Sequence, residues 1–227
     1  MSTSAGWPHS DAALILAVMD LRQTFNPAHV LLALAVTVLP VTAVAAQSDV
    51  VFTTVGVDLW PDYDRPGVLV IYRATIAPGV SLPAQLALRI PAAAGEPSAV
   101  AERQTDGQLI NLPFERRVDG ETAIIEMTAT RPIVQVEYYD PSIERDGATR
   151  SFTFTWPGDY EVGELTVSAQ QPDLAQNLTT DPPAATRAPG VDGLMYHTVA
   201  LAAVEAGESV DVSVRYEKTS DQLSVET

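Results

Sequence analysis

The stretch SFTFTW, residues 151–156, decides the fold. Phe152, Phe154 and Trp156 point one way and Ser151, Thr153 and Thr155 the other, a period of two that belongs to an extended strand with one wet face. The pattern recurs on both sides. VGELTVSA at 162–169 puts Leu165, Val167 and Ala169 on one face, and VDVSVRY at 210–216 alternates without a fault. VLVIY at 68–72 is apolar at every position instead, as expected of a central strand covered on both sides. From residue 50 onward no segment sustains a 3.6-residue apolar period, so the expected class is all-β.

Turn chemistry between the runs points to antiparallel neighbours. Asp106-Gly107, Asp119-Gly120 and Asp146-Gly147 are pairs that accept the positive φ of a tight hairpin. About eleven strands are expected, near 50–58, 67–76, 84–90, 98–103, 108–114, 121–128, 133–139, 149–156, 162–169, 194–201 and 208–216, more than one small sandwich holds. The expectation is therefore an antiparallel β-sandwich made of two packed units, 47–140 and 141–218, joined near 140–148 and followed by a polar tail at 219–227. A single large sandwich stays open. QPDLAQNLTTDPPAATRAPGVDG, 171–193, has no alternation and reads as a long, exposed, mobile connection.

Composition narrows the function. Of 227 residues 46% are apolar and 19% charged, enough to build an ordinary core. Asp and Glu number 29 against 13 Lys and Arg, for a net charge of −16 that repels a phosphate backbone and argues against nucleic-acid binding. The chain has no Cys, so neither disulfides nor thiolate metal sites are available.

The N-terminal segment 1–46 reads as a leader. VLLALAVTVL at 30–39 would form a hydrophobic helix about 15 Å long, half the thickness of a bilayer core, before Pro40 interrupts it. Ala43, Ala45 and Ala46 then supply the small residues of a signal-peptidase site. The basic flank is thin, because Arg22 sits beside Asp20; a start at Met19 would bring Arg22 near the terminus. The alternative is an uncleaved anchor, with membrane contact only through residues 28–46. Both readings place the rest of the chain outside the cytoplasm.

Candidate chemistry is sparse. DLWPDYD at 58–64 carries Asp58, Asp62 and Asp64 as oxygen donors for Ca²⁺, with Trp60 and Tyr63 able to stack on a sugar ring, but the spacing does not match a twelve-residue calcium loop. The plainer account is an acidic loop with Trp60 folded onto the core. Asp140, Glu144 and Asp146 form a second acidic loop, in which Arg145 argues against a divalent ion and a hairpin is expected. His197 is the one His beyond the leader; period two sets it with Met195, Val199 and Leu201, so a buried, hydrogen-bonded imidazole is expected. No G-x-S-x-G elbow accompanies it, and no catalytic residue, cofactor or metal is assigned.

DLWPDYDRPGVLVIYRATI, LPAQLALRIPAAAG, FTFTWPGDYEVGELTVSAQQP and DGLMYHTVALAAVEAGESVDVSVRYEK together resemble a group of poorly characterised exported bacterial envelope proteins with paired Ig-like β modules. The resemblance spans about 50–218 and implies Ig-like sandwiches on the outer side of a membrane. It transfers no catalytic residue. Relatives of this type continue into a C-terminal membrane helix where this chain ends in the polar 221–227, leaving release or anchoring by the leader. The functional expectation is an exported, non-enzymatic protein that gives a binding or structural surface in the envelope, its partner an envelope protein or a glycan. A carbohydrate- or calcium-dependent adhesion module stands second, resting on Trp60, Asp62, Tyr63 and Asp64, and a secreted hydrolase third.

Overall fold

The computed structural model describes residues 50–226. The leader 1–46, the Met19 start and the hydrophobic helix lie outside the described residues. Among those described, no helix is long and apolar enough to cross a membrane.

Fifteen strands make up the described chain: β1 (Val51–Pro61), β2 (Val68–Ile76), β3 (Ala84–Pro91), β4 (Ala99–Arg103), β5 (Leu109–Asn111), β6 (Phe114–Asp119), β7 (Thr122–Ala129), β8 (Ile133–Asp140), β9 (Glu144–Asp146), β10 (Thr149–Trp156), β11 (Glu161–Gln170), β12 (Gln176–Asp181), β13 (Thr186–Pro189), β14 (Met195–Leu201) and β15 (Val210–Glu217). They assemble into an eight-stranded sheet, β13-β14-β11-β1-β2-β8-β4-β5, a four-stranded sheet, β12-β15-β10-β9, and a three-stranded sheet, β3-β7-β6. The fold is all-β and sandwich-like.

Alternation does what the sequence demands. Phe152, Phe154 and Trp156 are buried, as are Val212, Val214 and Tyr216 on the neighbouring β15. On the wet face Thr153 Oγ1 meets Ser213 Oγ at 3.0 Å and the Thr155 hydroxyl donates to Asp211 at 2.6 Å. β2, apolar throughout its first five residues, is buried along all of them and lies between β1 and β8. The three sheets share one hydrophobic cluster. Tyr72 of β2 lies 5.7 Å from Phe154 and 6.0 Å from Trp156, ring centre to ring centre, and Phe52 meets Tyr160 edge-on at 4.9 Å. The Tyr160 hydroxyl in turn accepts the Ala87 N–H of β3 at 2.7 Å.

Four features of the fold bear on these expectations. Not every neighbour is antiparallel: β1 and β11 run parallel, with Val51 to Leu59 in register with Glu161 to Ala169. Their approach puts Gly163 against the β1 backbone, where a Cβ would lie 2.8 Å from the Thr53 carbonyl oxygen. Glycine is required there by space. Second, the break expected near residue 140 falls between β8 and β9. It separates the three-stranded sheet from the four-stranded one, but the eight-stranded sheet crosses it through the β1–β11 pair, and the described residues form one compact unit. Third, the stretch 171–193 is not a structureless connection. It holds β12, which pairs with β15, and β13, which pairs with β14. Both are edge strands, β13 exposed throughout and β12 burying only Leu178, so packing imposes little alternation on them. Fourth, the hairpins at 119–122 and 146–149 carry the positive φ expected at their Asp-Gly pairs and join antiparallel neighbours, with glycine at the head of the two-residue turn. Asp119 and Asp146 are the last paired strand residues, and Gly120 and Gly147 take φ of 61° and 58°.

Candidate binding face on the outer side of the large sheet

Val55, Val57 and Leu59 face the core, so period two turns Asp58 and Trp60 to the outer side of β1. Asp58 is thus a strand residue, not a loop ligand, and it is ion-paired to Arg73 of β2. The chain then reverses through 62–67. Asp62 takes a left-handed φ of 46°, and its N–H donates to the Gly67 carbonyl at 2.8 Å. Its buried carboxylate accepts the Arg145 guanidinium at 2.8 Å and the Tyr216 hydroxyl at 2.9 Å. Asp64, on the outer side, accepts the Tyr139 hydroxyl at 2.8 and 3.0 Å.

The three aspartates therefore do not converge. Each carboxylate is answered by a different cation or hydroxyl, and among the described residues no group of three or more His, Asp or Glu is placed to hold a metal ion. Asp140 is likewise occupied, accepting the Ser142 N–H at 2.9 Å, while Glu144 and Asp146 lie exposed on β9. The polar tail returns to this end of the molecule: the Ser224 and Val225 N–H groups donate to the Asp62 and Tyr63 carbonyls at 3.0 and 3.1 Å.

His197 is buried on the core side of β14, but the expected hydrogen bond is missing: Nε2 is enclosed without a partner. Burial, aided by the positive charge of Arg187 across the strand pair, pushes the imidazole below its ordinary range. It is a core residue held neutral.

What the structure does bring together is a row of aromatic side chains. Tyr196 on β14 is in register with Gln170 on β11; Gln170 follows Ala169, the partner of Leu59, and so adjoins Trp60 on β1. Trp60 is in register with Leu69 on β2, and Leu69 with Tyr139 on β8. Five consecutive strands of the large sheet thus set Tyr196, Trp60 and Tyr139 in one line across its outer face, with Gln170 and Leu69 between them. The three rings are half-buried, whereas the two side chains between them are buried.

Polar groups frame the row. Tyr63 packs on Trp60 with ring centres 4.8 Å apart. The Arg65 guanidinium lies over Tyr139, its carbon 3.7 Å from the ring centroid. At the other end Gln170 Nε2 donates to the Tyr196 oxygen at 2.6 Å and to Asp192 at 3.0 Å, and the Tyr196 hydroxyl donates to Asp192 at 2.7 Å. Burial first, and then the carboxylates of Asp192 and Asp64, push the Tyr196 and Tyr139 phenols up, so both remain protonated donors. Beneath the row Trp60 Nε1 and Gln170 Oε1 are buried without a partner.

Of the residues chosen from sequence, Trp60, Tyr63 and Asp64 belong to this face, and Asp62 does not. Tyr139, Gln170, Asp192 and Tyr196 were missed. A signal for two of them existed, since a period that sends His197 and Tyr138 inward must send Tyr196 and Tyr139 outward. Neither a protein-family model nor a curated protein sequence matches the chain.

Proposed function

We propose that this chain is an exported, non-enzymatic protein of the bacterial envelope, built of Ig-like β modules, whose outer sheet face is a binding surface. One observation carries the reading: Tyr196, Trp60 and Tyr139 lie partly exposed in a single row on that face, framed by carboxylates and a guanidinium. Aromatic rings with a polar rim are recognition chemistry, combining a large contact area with little side-chain entropy to lose. Between the two adhesive readings the row favours a carbohydrate over calcium, because Asp58, Asp62 and Asp64 are each engaged elsewhere.

Hydrolysis has no comparable support, as the imidazole it would use faces the core. Ester and glycoside substrates should therefore show no turnover, and the protein should co-sediment with purified cell-wall material. Turnover abolished by His197→Ala would overturn the assignment. Export is tested by mass spectrometry of the N-terminus in the native cell: a start at Ala46 or Gln47 means a removed signal, and one at Met1 or Met19 an anchor.

A further inference from the structure

We infer that the aromatic row is a platform for one extended, neutral, equatorially linked glycan chain of the β-1,4 type, lying across the strands. The inference rests on the binding role proposed above and specifies its ligand. Adjacent strands lie about 4.8 Å apart, so Tyr196 to Trp60 and Trp60 to Tyr139 are each two intervals, about 9.6 Å, and the whole row is about 19 Å. A β-1,4 chain advances by about one such interval per sugar and repeats its orientation every second sugar. Rings two strands apart therefore meet the same face of alternate residues in a straight chain, whereas an α-1,4 chain curls away from a line.

Relief fits the same ligand. Gln170 and Leu69 are buried between the rings, so a flat polymer would meet Tyr196, Trp60 with its neighbour Tyr63, and the Arg65 guanidinium that lies over Tyr139. The rim sets the Asp192 and Asp64 carboxylates, which keep lone pairs beyond those taken by the Tyr196 and Tyr139 hydroxyls, and the Arg65 guanidinium where sugar hydroxyls would lie. The carboxylates of Asp58, Asp64 and Asp192 on this face of a protein of net charge −16 disfavour a polyanion, which is why the chain is neutral. The buried, unpartnered oxygen of Gln170, directly between Tyr196 and Trp60 in the row, marks where the platform's own hydrogen bonding is incomplete.

Calorimetry of the whole protein with cellobiose, cellohexaose, chitohexaose and maltohexaose tests this. A β-1,4 hexasaccharide should bind about tenfold or more tighter than the disaccharide, which spans only one interval, and maltohexaose should bind no better than the disaccharide. Trp60→Ala, Tyr196→Ala and Tyr139→Ala should each weaken hexasaccharide binding by about tenfold, the scale of losing an aromatic anchor, while Trp60→Phe keeps most of it. Circular dichroism and melting of each variant establish that the fold is intact. Length-independent binding, equal affinity for maltohexaose, or wild-type affinity in the folded variants would overturn the inference. If no hexasaccharide binds but wall material still sediments the wild type and not Trp60→Ala, the glycan assignment falls and the binding role stands; silence in both assays removes both.

Discussion

Asp62 shows how little a residue type says before its partners are known. In sequence it is the middle acid of three; in the fold it is the buried link between β1, β9 and β15, holding Arg145 and Tyr216 from strands far along the chain. Removing one member of a buried charged pair leaves the other unpaired, which costs about 3–5 kcal/mol when both are enclosed. Arg145 keeps 38% of its side chain in solvent, so screening lowers the expected cost of Asp62→Ala to about 2 kcal/mol. Asp62→Asn should cost less, since Asn accepts the left-handed backbone and still offers an oxygen to Tyr216. Urea unfolding of the two variants checks the order. His197 makes a second prediction. Its folded value lies below the ordinary 6.5 because burial opposes the charge, so the unfolded chain takes up a proton more readily than the folded one. Stability is thus unpenalised above about pH 6.5 and falls as the pH drops below it, until the folded imidazole also titrates. The melting temperature of wild type should decline between pH 7 and pH 5, and His197→Gln should flatten that slope.

Elements were legible where both ends of a physical constraint lay close in sequence. SFTFTW and VDVSVRY declare their buried faces locally, and the structure pairs them as β10 and β15. β12 and β13 could not be read, because an edge strand that buries one residue, Leu178 of β12, or none, as in β13, owes its extended form to one neighbour's hydrogen bonds and not to its own pattern. The binding face shares this difficulty: Trp60, Tyr63 and Asp64 adjoin in sequence, but the row exists only through the register of five strands, in which the β1–β11 pair joins residues more than a hundred positions apart. The parallel β1–β11 contact is the critical one, and Gly163 is its weak point. A methyl there would press on the Thr53 carbonyl, which is backbone and has no rotamer to yield. Gly163→Ala should lower stability by about 1–3 kcal/mol, the usual range for overpacking, although the position is exposed and the added methyl is small. Thermal melts of this single variant decide it. An unchanged melting point would show that β1 and β11 can separate locally without cost.

At the scale of the molecule the question is whether the two halves can live apart. The three-stranded sheet comes entirely from residues before 140 and the four-stranded sheet entirely from those after it, which is the arrangement two sandwiches would have. Yet the sheet they share is continuous. Cutting after residue 140 strips β11 from β1, opening two long edges in the middle of a sheet, and uncovers Phe52, Val162, Leu165 and Val167, all essentially buried in the intact chain. It also removes Phe154 and Trp156 from Tyr72, and the Asp159 carboxylate from the Arg89 N–H that it accepts at 2.8 Å. Losses of that size exceed the few kcal/mol by which a domain is stable. Fragments 50–140 and 141–226 expressed separately should therefore fail to fold, and the intact protein should unfold in one transition with far-ultraviolet and tryptophan signals coincident. Cooperative melting of either fragment alone would show instead that the shared sheet is a seam between independent domains, and that the aromatic row, which crosses it between Gln170 and Trp60, can be pulled apart without unfolding the rest.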